Sequence, residues 1–435
     1  MTKHIPIADK VLLHIIPSDK FTTNIICILI RRPLIREEVT QTALIPTLLS
    51  RGSAKYPAVR DIRLAAETLQ GSIFNAQIIK KGEQQILQFF LEYTKGDNTF
   101  KGYGLDFLRE IIRNPLITPI KNPQTENNSL GFHPSYVKSE CENLKNRIEG
   151  RINNKSEYAN YKCLEAMCEG EPFGLYGDGY AEDLPGITPE SLLNHYKNIW
   201  AGSPVDFIAF GKWDEAWLKE GVVSRFGPFN SPKEQIPKAA LHPARSNRQI
   251  IRLNHNTAQG NLCIGLRGEI APVGKDFIHL QLANEILGGG PNAKLFVNIR
   301  EKESLCYAIF SSVYRFKSLM CIQAGTEPDK LERVLQLAEY EINALKQGDF
   351  TGGDLYNAKQ SLSKAWRAID DNPSACVDSY ASQFLLEDTH APDSSLIQED
   401  ALSLDKLLVQ IEEAKPGDIS QAASRLNIDT VVVMQ

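Results

Sequence analysis

The chain is divided near its middle by a segment in which the regular patterns of apolar residues stop. Between Pro228 and Arg248 four prolines occur, at positions 228, 232, 237 and 243. Proline has no backbone N–H and a fixed φ, so such a segment runs extended and does not continue a helix. With 435 residues, the chain is long enough for a domain on each side. We therefore predict domains over 1–227 and 249–435, joined by a linker over 228–248.

The two halves follow a similar order of elements, which indicates a duplicated domain. Each half has a β-rich run near its beginning, and a proline-started helix followed by a strand at its end. The β-rich runs are Asn24–Ile30 and Asn261–Leu266, the helix starts are Thr188–Pro189 and Lys415–Pro416, and the final strands are Val205–Phe210 and Ile428–Met434. Between these, neighbouring strands (72–80 with 85–93, 306–314 with 318–325) precede helices. This order predicts an α+β class, with a largely antiparallel sheet packed with helices in each domain.

The composition is that of a globular protein whose partners are not strongly charged. Hydrophobic residues make up 42% of the chain, charged residues 23%, and the formal net charge is -5. Because acidic and basic residues are interspersed, neither nucleic acid nor a membrane surface is expected as a partner. No run approaches the roughly 20 apolar residues of a membrane helix, so we expect a cytoplasmic protein. The eight cysteines form no Cys-x-x-Cys pair and are expected to be buried, reduced thiols.

The residue patterns of common catalytic sites are absent. The sequence has no Gly-x-Ser-x-Gly, no phosphate-binding Gly-x-x-x-x-Gly-Lys-Ser/Thr and no Gly-x-Gly-x-x-Gly after a strand. No two of the eight histidines lie four apart, the spacing that directs two helical imidazoles at one metal ion. Cys163 and Cys168 are five apart on a predicted helix, which is poor spacing for shared ligation. We therefore predict no metal ion or other cofactor in this chain.

The segment from Ile286 to Tyr307 is the most informative stretch. A predicted helix over 276–287 ends at Gly288, Gly289 and Gly290, and a short helix and a strand follow. One glycine is enough to end a helix in the left-handed conformation. Three glycines also leave room for the backbone of a bound peptide, and both explanations stay open.

Arg300 and Tyr307 have ordinary explanations when each is taken alone, as a solvated helix charge and a core residue of a strand. Together they occur in the pattern Leu295-Phe-x-x-Ile-Arg-Glu-Lys-x-x-Leu-x-Tyr307. This pattern resembles the second domain of insulinase/pitrilysin-type zinc peptidases, which belong to the LuxS/metallohydrolase-like fold. The resemblance implies that Arg300 holds the substrate and that Tyr307 helps to polarise the scissile carbonyl of a peptide.

The first half departs from that family at its metal site. The family carries His-x-x-Glu-His on a helix just before a Lys/Arg-Gly-Thr/Ser turn, and the turn is present here as Arg51-Gly-Ser53. The motif positions then fall on Ala43-Leu-Ile-Pro46-Thr47, so both histidines and the catalytic glutamate are replaced. Proline at position 46 also removes a helical N–H and is expected to bend the helix.

The third zinc ligand of the family is a glutamate on a later long helix, and the resemblance assigns its position to Arg147. The neighbouring Glu140, Glu142 and Glu149 are alternatives, although solvated helix charges are the ordinary explanation for them. Without the histidines, none of these carboxylates would complete a zinc site.

The resemblance spans nearly the whole chain and is closest to a zinc-site-lacking bacterial subgroup of the family. The runs Lys81-Gly-Glu83 and Glu169–Gly174 support this placement. It implies a non-catalytic subunit that binds peptide and supplies Arg300 and Tyr307 to the zinc of a homologous partner subunit. A homodimer is the alternative assembly, and a purely structural or peptide-binding role without proteolysis is the alternative function. A stand-alone peptidase would need metal ligands that the sequence does not offer.

Overall fold

The computed structural model describes residues 2–121, 128–231, 234–255, 259–390 and 404–435. These residues form two compact units. The first comprises 1–149, 175–237 and 373–381, and the second comprises 150–174, 238–372 and 382–435. The segment 150–174, which precedes the proline-rich stretch, therefore packs within the second unit. The domain and linker bounds expected from the sequence stay a prediction, and within that linker Pro232 and Lys233 lie outside the described residues.

The elements are numbered in chain order. The strands are β1 (Lys3–Ala8), β2 (Val11–Pro17), β3 (Thr23–Pro33), β4 (Ile73–Lys81), β5 (Gln84–Thr94), β6 (Ile117–Lys121), β7 (Asn128–Phe132), β8 (Val205–Gly211), β9 (Gln249–Leu253), β10 (Gly260–Arg267), β11 (Cys306–Tyr314), β12 (Leu319–Thr326) and β13 (Asn427–Met434). The α-helices are α1 (Val39–Leu49), α2 (Val59–Glu67), α3 (Asn98–Arg113), α4 (Pro134–Glu149), α5 (Lys155–Met167), α6 (Pro189–Gly202), α7 (Glu215–Phe226), α8 (Gly274–Asn284), α9 (Leu331–Gln347), α10 (Gly352–Ile369), α11 (Pro373–His390), α12 (Leu404–Glu413) and α13 (Pro416–Ser424).

The first unit is built on a sheet with the order β1-β2-β8-β3-β5-β4. Only the β2–β8 pair is parallel; the other pairs of this sheet are antiparallel. The central strand β3 is nearly all buried, and Ile28 lies opposite both Phe89 and Phe207. Such a continuous apolar run is typical of a strand that is covered on both faces. Helix α1 contributes Leu44 and Ile45 to the same core.

The second unit is built on a sheet with the order β11-β12-β10-β13-β9, in which only β13–β9 is parallel. One face packs against α8 and α9 in an aliphatic core. The opposite face is covered by α5, whose apolar side chains form a separate cluster with β10, β12 and β13. The predicted α+β class with largely antiparallel sheets is therefore confirmed.

A buried ionic cluster fixes the chain just after α5. Arg267 Nη2 donates to Glu171 Oε1 at 2.6 Å, and Lys317 Nζ lies 2.8 Å from the other carboxylate oxygen. Burial opposes ionisation of Glu171, but the hydrogen bonds and charges of Lys317 and Arg267 together lower the pKa of its carboxyl. Arg267 also donates to the carbonyl of Met167 at 2.9 Å. The end of α5 is thus tied to β10 by charge as well as by packing.

Local sequence signals account for several helix ends. Helix α4 ends at Glu149, and α5 begins after Asn154. The Asn154 side chain accepts a hydrogen bond from the N–H of Glu157, and Thr188 caps α6 in the same way. Within the described ranges, no helix is both long enough and apolar enough to cross a membrane.

Candidate functional site

The glycine turn after α8 packs closely against its own surroundings. Helix α8 continues into a π-helical turn, Glu285–Gly289, and Gly290 ends it. A Cβ atom on Gly288 would lie 2.6 Å from Ser311 Oγ and 2.8 Å from the Ser311 nitrogen, and one on Gly289 would lie 2.3 Å from Asn284 Nδ2. The glycines therefore have a packing reason to be small, in addition to ending the helix. Their predicted role of making room for a peptide stays a prediction.

A cleft of about 590 Å³ opens beside this turn within the second unit. It is lined by Glu285 and Gly290 on one side and by Asp354, Ser361 and Lys364 of α10 on the other. Burial raises the pKa of the Glu285 carboxyl, and a hydrogen bond with Ser361 partly opposes this shift. The turn thus borders a cleft lined by both charged and apolar side chains, as well as the core.

Arg300 and Tyr307 are held by one short connection. Arg300 is exposed near the end of a second π-helical turn, Phe296–Lys302, and its guanidinium lies over the Phe296 ring at 4.8 Å. Ser304 then adopts a left-handed conformation with φ 52°, and the Leu305 N–H donates to the Ile299 carbonyl at 3.1 Å. The chain enters β11 directly afterwards. The positions of the two residues along the backbone are thus fixed while their side chains stay accessible.

Tyr307 lies at a β-bulge on an edge strand. In the β11–β12 ladder, Cys306 pairs with Thr326 and Ala308 with Gly325, so Tyr307 is the extra, unpaired residue. β11 ends its sheet, and the Tyr307 side chain is 58% exposed. The expectation that a tyrosine here would be a core residue does not hold. A bulge redirects a side chain out of the regular ladder, and that is the arrangement observed.

The positions that correspond to the zinc motif lie on α1 and offer no set of metal ligands. Ala43 is 2% exposed, Pro46 is buried, and the Thr47 hydroxyl donates to the Leu44 carbonyl at 3.0 Å. Helix α1 runs through Pro46 from Val39 to Leu49. The side chains at these positions are part of the packed core of the first unit rather than of an open coordination site.

The candidate third position does not supply a ligand either. Arg147 is exposed and forms an ion pair with Asp178 at 3.2 Å. Glu142 and Glu149 are exposed, as expected for solvated helix charges, but Glu140 is buried and accepts a hydrogen bond from Arg51 Nε at 2.6 Å. The solvated explanation is therefore wrong for Glu140, because Arg51 of the Arg-Gly-Ser turn compensates its charge.

The histidine nearest the motif positions has a structural role. His195 of α6 is 8% exposed, and its Nε2 lies 2.8 Å from the Thr42 hydroxyl of α1. Burial, with a smaller contribution from the Arg32 charge, lowers the pKa of His195 to about 4, although Glu38 acts in the opposite direction. A neutral imidazole with a hydroxyl partner ties α6 to α1.

One group of possible metal ligands was missed by the sequence analysis. Among the described residues, the grouping of three histidine, cysteine or acidic side chains in ligand range consists of Cys163, Cys263 and Cys321. These residues are separated by long stretches of chain, and no spacing rule connects them. Cys168, the sequence neighbour of Cys163, does not belong to this group of three.

Comparisons with known proteins agree with this architecture. Residues 186–362 match the family described as "Peptidase M16 inactive domain". The "Probable inactive metalloprotease YmfF" of Bacillus subtilis (strain 168) is 27% identical over 429 residues, covering 97% of this chain and 95% of that protein. A conserved protein from Enterococcus faecalis V583 has a similar structure, with a TM-score of 0.86 and 24% identity over 100% of this chain and 98% of that one. The peptidase M16 inactive domain from Pseudomonas fluorescens gives a TM-score of 0.79 and 17% identity over 100% and 97%.

The fold of two α+β units and these similarities define a peptidase-like chain. Its helix α1 lacks the His-x-x-Glu-His residues of the active peptidases. The chain is a homologue of the insulinase/pitrilysin (M16) metallopeptidases, as the resemblance predicted, and it falls with their zinc-site-lacking bacterial members. The family match begins before α6 and ends in α10, so it includes Gly288–Gly290, Arg300 and Tyr307.

Proposed function

We propose that this chain is the non-catalytic subunit of a heterodimeric zinc peptidase, to which it supplies Arg300 and Tyr307. The observation that carries the proposal is a contrast between two parts of the molecule. Arg300 and Tyr307 are exposed on a fixed connection, whereas Ala43 and Pro46 are buried in the core of the first unit. One set of side chains is exposed, and the other is packed in the core.

The chemistry of the two side chains suits this role. A guanidinium offers several N–H donors in a planar fork and binds a carboxylate or a peptide carbonyl oxygen. A phenol on an edge strand donates one hydrogen bond toward a carbonyl oxygen on which negative charge develops. The partner's zinc site would supply the activated water, and its glutamate would act as the general base. This chain then positions the peptide and stabilises charge.

Two sheet edges are suited to an extended peptide. β4 ends the sheet of the first unit, and β11 ends the sheet of the second. The side chains at the start of β4 alternate between exposed and half-buried, and Ile73 is 59% exposed. A peptide that pairs with such an edge gains backbone hydrogen bonds without a sequence requirement. We place peptide binding at these edges as part of the proposal.

The proposal also places the chain in the cytoplasm and holds that the isolated chain is inactive. The relative from Bacillus subtilis bears the description "probable inactive", and α1 here lacks the motif residues. None of the eight cysteines is in a disulfide, which suits the reducing cytoplasm. A purely structural or peptide-binding role is the competing function, and it requires no contribution from Arg300 or Tyr307.

Co-expression with a homologue from the same genome that carries His-x-x-Glu-His tests the proposal. Peptide cleavage is measured for each chain alone and for the mixture, and we expect turnover from the mixture only. Arg300→Ala should lower turnover about tenfold or more while the chains still co-purify, because it removes a charge-assisted hydrogen bond to substrate. Arg333→Ala, which changes an exposed arginine on α9, is the matched control.

Equal activity of the zinc-bearing chain with and without this subunit would contradict the proposal. Unchanged turnover in Arg300→Ala, with assembly intact, would instead support the purely structural role.

A further inference from the structure

Four sulfur atoms converge beneath α5 in the second unit. Cys163 and Met167 lie one turn apart on α5, while Cys263 lies on β10 and Cys321 on β12. The three cysteine Sγ atoms all lie within 4.8 Å of one another. The Met167 Sδ atom is 3.8 Å from Cys163 Sγ. All three cysteines are fully buried.

The sheet register explains why the two strand cysteines face the helix together. Cys321 lies opposite Gly265, and Gly265 is two residues from Cys263 on the same face of β10. A Cβ atom on Gly265 would lie 2.2 Å from Met167 Sδ and 2.7 Å from Cys163 Sγ. The missing side chain therefore leaves the space that the helix sulfurs occupy.

Buried cysteines often act simply as small apolar residues, and this is the alternative explanation. The spacing of the sulfurs favours ligation. Three thiolates bound about 2.3 Å from one ion in a plane lie about 4.0 Å apart, so the observed limit of 4.8 Å requires only small movements. Thiolate is the form that binds metal, so each thiol would lose its proton on binding.

We propose that Cys163, Cys263 and Cys321 form a buried binding site for one thiophilic metal ion, with the Met167 thioether as a fourth donor. Thiolate and thioether ligands select Cu⁺ and Zn²⁺ among biological ions. Structural zinc sites take four ligands from cysteine, histidine and carboxylates, and only three of the donors here belong to those types. The set therefore matches Cu⁺ better than Zn²⁺. Each thiol that binds the ion releases its proton to solvent, and no electron is transferred.

The site would be structural rather than catalytic. It has no exposed position for a substrate, because its three cysteines are completely buried. An ion there would join α5 to β10 and β12, elements that apolar contacts, the Glu171 cluster and hydrogen bonds such as Ser156 Oγ to Gln323 Oε1 already connect. Since the ligands come together only in the folded unit, the ion would bind as the chain folds. This inference is independent of the proposed peptidase role.

The full-length chain, reduced and kept free of oxygen, is unfolded and refolded with Cu⁺, with Zn²⁺ or with neither. After desalting, bound metal is measured by mass spectrometry and stability by thermal unfolding. We expect one ion per chain and a higher melting temperature in the Cu⁺ sample. Cys163→Ala and Cys321→Ala should lower bound metal about tenfold or more. Cys306→Ala, a buried thiol of the same unit outside the cluster, should leave it unchanged.

X-ray absorption of the metal-loaded, unmutated chain gives a second measurement that does not depend on the folding of variants. Three or four sulfur neighbours would support the site, for either ion. Nitrogen and oxygen neighbours in place of sulfur would overturn the site. The same holds if Cys163→Ala binds as much metal as the parent chain, or if less than about one-tenth of an ion per chain is bound with both metals. Peptide cleavage with the partner chain is not used here, so the proposed function is tested separately.

Discussion

At the scale of single residues, Tyr307 is the side chain that core packing explains least. It occupies the bulged position of β11 and is mostly exposed. A large aromatic side chain gains little stability when more than half of its surface stays in water. We therefore expect the Tyr307 side chain to act through contact with another molecule.

Tyr307→Phe tests that expectation by removing the phenol oxygen alone. In the mixture with a zinc-bearing partner, we expect kcat to fall about tenfold or more, because one hydrogen bond to developing charge is lost. The melting temperature should stay the same, since the hydroxyl belongs to an exposed residue. Tyr340→Phe, at a tyrosine that is 62% exposed, is the control. An equal effect in both variants would argue against a specific role.

Gly288→Ala tests the packing role of the glycine turn. The added methyl group would meet the Ser311 backbone and side chain and Leu295 at 2.6–2.8 Å. Overpacking of this kind costs about 1–3 kcal/mol, so chemical denaturation should show that loss. Gly352→Ala, where a Cβ meets nothing within 4 Å, should not destabilise the chain. If Gly288→Ala is as stable as the parent, the turn has more room than the structure shows.

At the scale of elements, local signals predicted more than distant ones. Thr188 predicted the start of α6, because capping depends on residues three positions apart. The π-helical turn at Glu285–Gly289 was expected as an ordinary helix end, because apolar periodicity does not distinguish the two. The packing of α5 in the second unit was not predicted, since its partners on β10 and β13 lie 100 or more residues away.

Glu171→Gln tests how strongly charge holds the end of α5. The change removes the carboxylate charge that Arg267 and Lys317 contact, and removing one partner of a buried ion pair costs about 3–5 kcal/mol. We expect urea unfolding to shift accordingly. Glu169→Gln, at a side chain that is 76% exposed, should have little effect. Equal midpoints for the two variants would show that apolar packing alone holds the segment.

At the scale of the whole molecule, we expect mild acid to destabilise the first unit at pH values above those at which carboxylates become protonated. The pKa of His195 is lowered to about 4 in the fold, chiefly by burial, from an ordinary value of 6.5. Between these values the unfolded chain binds a proton that the folded chain does not, so stability falls as the pH decreases from 6.5 to 4. For His195 the loss approaches about 3 kcal/mol. His4, whose pKa burial also lowers to about 4, adds to it in the same direction.

Thermal unfolding across this pH range provides the measurement. His195→Gln should flatten the dependence, because the amide keeps a polar partner for Thr42 and does not titrate. His279→Gln, at a histidine of the second unit, is the control variant. A slope that persists in His195→Gln would assign the effect to other groups.

Residues that form one short family pattern could be predicted from the sequence. Possible metal ligands that lie far apart along the chain could not. Arg300 and Tyr307 are seven residues apart and belong to one recognisable run. Cys163, Cys263 and Cys321 are 100 and 58 residues apart, and they meet through the register of β10 and β12 and the packing of α5 on these strands. Sheet register is decided by many pairs along the strands, so three isolated cysteines carry no signal in the sequence.

The packing of α1 has a consequence for any attempt to introduce the His-x-x-Glu-His residues into this chain. Histidine at position 43 would need space that neighbouring side chains already fill, since Ala43 is only 2% exposed. Inserting a larger side chain into such a core costs about 1–3 kcal/mol before any zinc is bound. Introducing the three motif residues would therefore cause steric overlap. A variant that binds zinc through them would need compensating substitutions around α1.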